Sequence, residues 1–134
     1  VLAPDKGALR RAKLLADALE AECDYLEKTR DRITGQVRVS PKELDVKGRD
    51  VIIIDDIIST GGTIALAAQS ISGASPRSIY VACSHALLVR GALDKIYGSG
   101  VTEVVATDTV PSPVSRISVS STLARVAREI IKLL

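Results

Sequence analysis

The residues in this chain best suited to chemistry lie in one run of thirteen, Val51-Ile52-Ile53-Ile54-Asp55-Asp56-Ile57-Ile58-Ser59-Thr60-Gly61-Gly62-Thr63. Gly61 and Gly62 lack a Cβ, so the backbone there can turn sharply and approach a ligand closely. The amides of such a loop, with the first turn of a following helix, offer several N–H donors to an anion. Ser59, Thr60 and Thr63 add hydroxyls. Asp55 and Asp56 repel a phosphate, but they suit sugar hydroxyls, as acceptors, or a divalent cation. Anion donors at one end and hydroxyl acceptors at the other describe a site for a pentose phosphate. The absence of Gly-Lys-Ser/Thr after the glycines separates this run from a P-loop. The bland alternative is a buried strand, a polar turn and a capped helix, and a bare Gly-Gly loop would earn only that.

These residues need elements to place them. Four consecutive β-branched residues, Val51 to Ile54, suit a strand buried on both faces of a parallel sheet. Ligands in open α/β sheets sit at the carboxyl ends of such strands. The expected central strand is Asp50–Ile54, and the helix after the loop runs from Thr63 to Ser72. Upstream, Val1-Leu2-Ala3 reads as the end of a buried strand leading into a second strand-end loop, Pro4-Asp5-Lys6-Gly7-Ala8. A helix is expected from Gly7 to Glu22, with Leu9, Ala12, Leu15, Ala16 and Leu19 on one face. A short strand is expected within Cys23–Glu27. The charge-rich stretch from Lys28 to Lys42 is expected to hold a mobile loop, with a short strand at Val37–Val39.

Downstream, strands are expected at Ser78–Ala82 and Val101–Ala106, with a helix from Gly91 to Tyr97 between them and an extended piece at Ile117–Val119. The last helix is expected to start at Ser121 as N-cap, with Leu123, Val126, Ala127, Ile130 and Leu134 forming its apolar face. Strands alternating with helices predict an α/β fold, a parallel sheet with helices on both faces. A chain of 134 residues without repeats reads as one domain, 1–134.

Composition narrows the classes further. A net charge of +2, with three tyrosines as the only aromatics, argues against nucleic acid as a partner. No apolar run approaches the length of a membrane span. Cys23 and Cys83 are isolated, which fits thiols in a reducing cytoplasm better than a disulfide framework. The chain begins without Met, on what reads as the end of a strand, which suggests a piece of a longer protein.

The thirteen-residue run resembles the phosphoribosyl-diphosphate signature of type I phosphoribosyltransferases and of ribose-phosphate diphosphokinases. Three further segments resemble the second group. Pro4-Asp5-Lys6-Gly7-Ala8-Leu9-Arg10-Arg11-Ala12 is similar to that family's diphosphate loop and following helix. Glu27-Lys28-Thr29-Arg30 is similar to the Lys-x-Arg entry into its flexible catalytic loop, and Ala82-Cys83-Ser84-His85-Ala86-Leu87-Leu88 to the segment after its next strand. The order and spacing match along nearly the whole chain, but only the C-terminal half of the family's two tandem domains. Ala8 stands where the family often has a second Gly, and Ser59 where many members have Asp. Both departures look like the archaeal branch.

The resemblance implies a type I phosphoribosyltransferase fold and transfer of the diphosphoryl group of ATP to C1 of ribose 5-phosphate, giving phosphoribosyl diphosphate and AMP. It implies that Ser59, Thr60, Gly61, Gly62 and Thr63 hold the 5-phosphate and that Asp55 and Asp56 face the ribose hydroxyls. Arg30 joins that set. Asp5, Lys6, Gly7 and Ala8 form the diphosphate loop, with Asp5 toward Mg²⁺. Lys28 and Arg30 are the catalytic cations. Further implications are a missing N-terminal half that supplies much of the ATP site, a homo-oligomer and a cytoplasmic location. Taken alone, Lys28 and Arg30 read as solvated charges and Asp5 as a helix cap. His85, the only histidine, reads as structural. Two other functions compete: a free-standing phosphoribosyltransferase, for which no segment covering a base is evident, and a non-catalytic regulatory homologue, disfavoured because the acids and the glycine loop are intact.

Overall fold

The computed structural model describes residues 1–30, 37–40 and 45–133; of 28–30 and 37–40 it describes the backbone alone. Six strands form one parallel sheet: β1 (Leu2–Ala3), β2 (Asp24–Tyr25), β5 (Asp50–Ile58), β6 (Ser78–Ala86), β7 (Glu103–Thr107) and β8 (Ser115–Ile117), in the order β2-β1-β5-β6-β7-β8. A separate antiparallel pair joins β3 (Glu27–Arg30) to β4 (Val37–Ser40). The helices are α1 (Leu9–Leu19), α2 (Gly62–Ser72), α3 (Ala92–Gly98) and α4 (Ser120–Ile131).

The alternation of side chains along β5 shows how the layers are built. Val51 and Ile53 are buried with Ile64, Ala67, Ala68 and Ile71 of α2 and Ile96 of α3. Ile54 instead packs with Ala3, Ala8 and Ala12, under α1. Helices therefore lie on both faces, as expected. The α2–α3 face is fully buried, and the α1 face is half-buried at Ile52, Ile54, Tyr80, Ala82 and Val105.

Several boundaries move for identifiable reasons. β5 does not stop at Ile54: its pairing with β6 carries it through both acids to Ile58, opposite Ala86. α1 begins later than expected, because Asp5 closes a 3-10 turn over Lys6–Ala8, and it ends at Leu19 because Glu20 turns left-handed at φ 52°. Ala12 and Ala16 carry its buried face, while Leu19 is exposed.

The Lys28–Lys42 stretch is in part a hairpin, with Lys28 opposite Val39 and Arg30 opposite Val37. The expected loop within it falls on 31–36 and 41–42, which lie outside the described residues. α4 begins one residue before the expected cap, after Val119, with no side-chain cap. Its apolar stripe is not buried: Leu123, Val126 and Ile130 are all exposed, and Leu134 lies outside the described residues. Among the described residues no helix is long and apolar enough to cross a membrane.

Candidate ligand site at the carboxyl ends of the strands

β1 and β5 are adjacent parallel strands, so their carboxyl ends bring two loops side by side. The loop after β5 is braced from outside. Gly61 sits at φ 72°, and a Cβ there would lie 2.9 Å from the carbonyl oxygen of Ala92 and 3.0 Å from Cγ1 of Ile96. Only glycine fits both the conformation and the space against α3. Lys95 of α3 donates from Nζ to the Thr60 carbonyl at 3.0 Å. The amides of Leu87 and Leu88 donate to Ile58 O and that of Val89 to Ser59 O, which ties the segment after β6 to the same loop. Gly62 opens α2, and no side chain caps that helix. Asp55 and the residues from Ile57 to Ile64 line an open depression of about 380 Å³.

The loop after β1 is closed by its own acid. Asp5 Oδ1 accepts from the amides of Gly7 at 2.9 Å and Ala8 at 3.3 Å. Lys6 is exposed, whereas the Ala8 methyl is buried with Ala3, Ala12 and Ile54. Ala8 thus serves the core with its side chain and the loop with its amide. The expected N-cap role of Asp5 is present, and it leaves a hard carboxylate at a strand end.

The two acids of β5 are held in detail. The Asp56 amide donates to Asp55 Oδ1, and the Ile57 amide to Asp56 Oδ1, both at 2.9 Å. From the first turn of α1, Arg11 spans the pair: Nη1 to Asp55 Oδ1 at 3.3 Å and Nη2 to Asp56 Oδ2 at 2.6 Å. The Asp55 side chain is 17% exposed and that of Asp56 51%. Burial, reinforced by the negative charge of Asp56, lifts the Asp55 carboxyl above the ordinary aspartate value, against the pull of Arg11. At Asp56 desolvation also opposes ionisation. The hydrogen bonds with Asp55 and the Ile57 amide, with the charge of Arg11, outweigh it and hold that carboxyl low. Behind Asp55, the Cys83 thiol is pushed up to about 11 by burial and by the neighbouring carboxylate, so it stays protonated and inert.

The structure therefore gathers Asp5, Lys6, Gly7 and Ala8 with Asp55, Asp56, Ser59, Thr60, Gly61, Gly62 and Thr63 at one sheet edge. Lys28 and Arg30 are placed on β3 by their backbone only; their side chains lie outside the described structure. His85 accepts or donates through Nδ1 to Thr109 Oγ1 at 2.8 Å, and Thr109 in turn donates to Ser84 O, so it ties the end of β6 to the loop after β7. Sequence reasoning missed Arg11 and Lys95. Arg11 carried a faint signal, a cation in the first helical turn after a strand-end loop. Lys95 carried none.

A larger depression, of about 630 Å³, lies around Val1, Cys23, Asp45 and Arg49 at the opposite ends of the strands. It has neither the glycine loop nor the paired acids.

The phosphoribosyl transferase domain family matches residues 1–115. Ribose-phosphate pyrophosphokinase 2 of Archaeoglobus fulgidus is 46% identical over 124 residues, covering 92% of this chain and 45% of that protein. A ribose-phosphate pyrophosphokinase of Methanothermobacter thermautotrophicus is 49% identical over 132 residues, covering 96% of this chain and 45% of that protein. The crystal structure of phosphoribosylpyrophosphate synthetase from Mycobacterium smegmatis superposes with a TM-score of 0.78 at 29% identity, over 99% of this chain and 45% of that one. The chain spans about half the length of the curated relatives it matches. With the match extending from β1 through β7, and with the glycine loop and acid pair inside it, the chain belongs to the phosphoribosyl transferase domain family.

Proposed function

We propose that this chain is the ribose 5-phosphate-binding half of a ribose-phosphate diphosphokinase, which moves the diphosphoryl group of ATP to the C1 hydroxyl of ribose 5-phosphate and releases AMP. The observation that carries this reading is the juxtaposition of a braced glycine loop with a carboxylate pair on one strand. Amides and hydroxyls of Ser59–Thr63 bind the 5-phosphate, and Asp55 and Asp56 accept from the ribose hydroxyls. The names of the relatives, ribose-phosphate pyrophosphokinases, support the same reaction.

Transfer of this kind depends mainly on positioning and on cations facing the developing negative charge. We assign that task to Lys28 and Arg30 on the β3–β4 hairpin, with Arg30 also reaching the pentose phosphate. Mg²⁺ prefers one or two carboxylates together with substrate phosphates. We assign that sparse kind of site to Asp5, the carboxylate of the β1 loop. Bound there, Mg²⁺ would neutralise the diphosphate. Asp5 would hold it, and Gly7 and the Ala8 amide would shape the loop beside it.

The adenine site is assigned to a partner half absent from this sequence and to a neighbouring copy in a homo-oligomer, since this chain has no Phe or Trp to clamp a purine. The free thiols Cys23 and Cys83 suit the reducing cytoplasm.

The test is AMP release from ATP in the presence of ribose 5-phosphate and Mg²⁺. The 134-residue chain should bind ribose 5-phosphate yet turn over almost nothing, while the complete protein turns over. In the latter, Lys28→Ala should lower turnover severely with a smaller change in apparent affinity, the pattern of an interaction made chiefly in the transition state. Robust turnover by the 134 residues alone would overturn the half-enzyme reading. Nucleotide formation from phosphoribosyl diphosphate and a free base would replace it with a phosphoribosyltransferase.

A further inference from the structure

We propose that Arg11 is a positioning residue for the pentose: its guanidinium sets the two β5 carboxylates in the geometry that accepts the sugar hydroxyls. This rests on the reading of Asp55 and Asp56 given above, and it adds a residue that neither the sequence motifs nor that reading assigns.

Two adjacent carboxylates in the C-terminal half of a strand repel, and left alone each would relax away from the other. Arg11 prevents that. Its planar fork reaches Asp55 Oδ1 through Nη1 and Asp56 Oδ2 through Nη2, one carboxylate per branch. The Asp56 and Ile57 amides hold the two Oδ1 atoms from the backbone side. At Asp56 the backbone amide and the guanidinium take different oxygens, and at Asp55 they share Oδ1, so both rotamers are set before a ligand arrives.

A lysine could supply the charge but not the two-branched geometry. The donor also comes from a telling place. Arg11 lies three residues after Ala8, in the first turn of the helix that the Asp5 loop opens. The fork therefore links the helix behind one strand-end loop to the acids that precede the other, and fixes the spacing between them. Arg11 does not take part in the brace of Gly61, which comes from α3. Phosphate recognition and hydroxyl recognition are held by different helices, and that separation makes the proposal testable.

The experiment is calorimetric titration of the complete protein and its Arg11→Gln and Arg11→Lys variants with ribose 5-phosphate, 2-deoxyribose 5-phosphate and inorganic phosphate. Arg11→Gln should weaken ribose 5-phosphate about tenfold, the scale of one charge-assisted contact. It should shrink the preference over the 2-deoxy sugar and leave inorganic phosphate unchanged. Unchanged phosphate binding also shows that the variant is folded. Arg11→Lys should recover only part of the loss. Full recovery by lysine would mean that charge alone matters and would overturn the positioning role, as would wild-type affinity of Arg11→Gln or an equal loss for all three ligands. Asp55→Asn and Asp56→Asn, titrated in parallel, separate the two claims. If they lower ribose 5-phosphate affinity selectively while Arg11→Gln does not, the inference alone fails. If they too are without selective effect, the assignment of the acids fails with it.

Discussion

Two strand-end loops, side by side and each leading into a helix, are built on opposite plans. The loop after β5 is held from outside, by α3 packed against Gly61, by Lys95 on the Thr60 carbonyl and by the segment after β6. The loop after β1 is held from inside, by Asp5 bonded to its own Gly7 and Ala8 amides. External bracing engages the β5 loop at Gly61 and through the Ile58, Ser59 and Thr60 carbonyls, a plan that suits an anion at its amides. Internal closure places a carboxylate at the amides of the β1 loop, which suits a cation carrying an anion. Neighbouring loops that each lead from a strand into a helix thus suit ligands of opposite charge, and the source of the bracing decides which.

Substitutions that exchange or remove these devices test the contrast. The largest effect is expected at Gly62, where a Cβ meets nothing closer than Thr60 Oγ1 at 3.7 Å, so the fold tolerates a side chain that the proposed phosphate should not. Gly62→Val should lower ribose 5-phosphate affinity about a hundredfold or more, the worth of two charge-assisted bonds, with the denaturation midpoint nearly unchanged. Unchanged affinity in calorimetry would remove this loop as the phosphate cradle. Its neighbour Gly61 should behave differently. Gly61→Val meets Ala92 and Ile96 in a left-handed conformation, and denaturant unfolding should show a loss of about 2–4 kcal/mol from strain and overpacking together.

In the β1 loop, Asp5→Ala removes the acceptor of two amides and should cost about 1 kcal/mol. Ribose 5-phosphate affinity should not change, although Mg²⁺-dependent turnover should fall; a fall in that affinity would show that the loops are not separate devices.

The smallest effect is a pH dependence. The Asp55 carboxyl is raised by burial, so as the pH falls it takes a proton earlier than an ordinary aspartate. The ratio of ribose 5-phosphate to inorganic phosphate affinity should therefore decline from above the usual aspartate range. For stability the same shift has the opposite sense: the group favours the folded state increasingly as the pH falls through its raised value. Asp56, held low, contributes stability that is kept above the ordinary value and lost as the pH falls through its folded one. A ratio that stays flat until well below the ordinary range would remove Asp55 from the hydroxyl site.

What was legible in the sequence follows from what is local. Val51–Ile54 announced a buried strand because β-branched residues without polar alternation leave little else, and the glycines announced the turn. The end of β5 was not legible, because Asp55 and Asp56 look like a terminus while the pairing with β6 that carries the strand on to Ile58 is non-local. The Arg11 fork was hidden for the same reason: 44 and 45 residues separate it from its partners. The brace on Gly61 was hidden too, since a glycine needed for φ and one needed for space read alike. In α4 the periodicity named an apolar face correctly as a pattern, but a pattern does not state what covers it, and Leu123, Val126 and Ile130 remain exposed.

The external brace on the β5 loop also bears on kinetics. A loop whose shape is fixed by α3 needs no ordering when a phosphate docks, so association is governed by encounter and charge, not by closure of the loop. Under the proposed function, differences in affinity among ligands that share the phosphate should then reside in their dissociation rates, set by how well each sugar satisfies the carboxylates beside it.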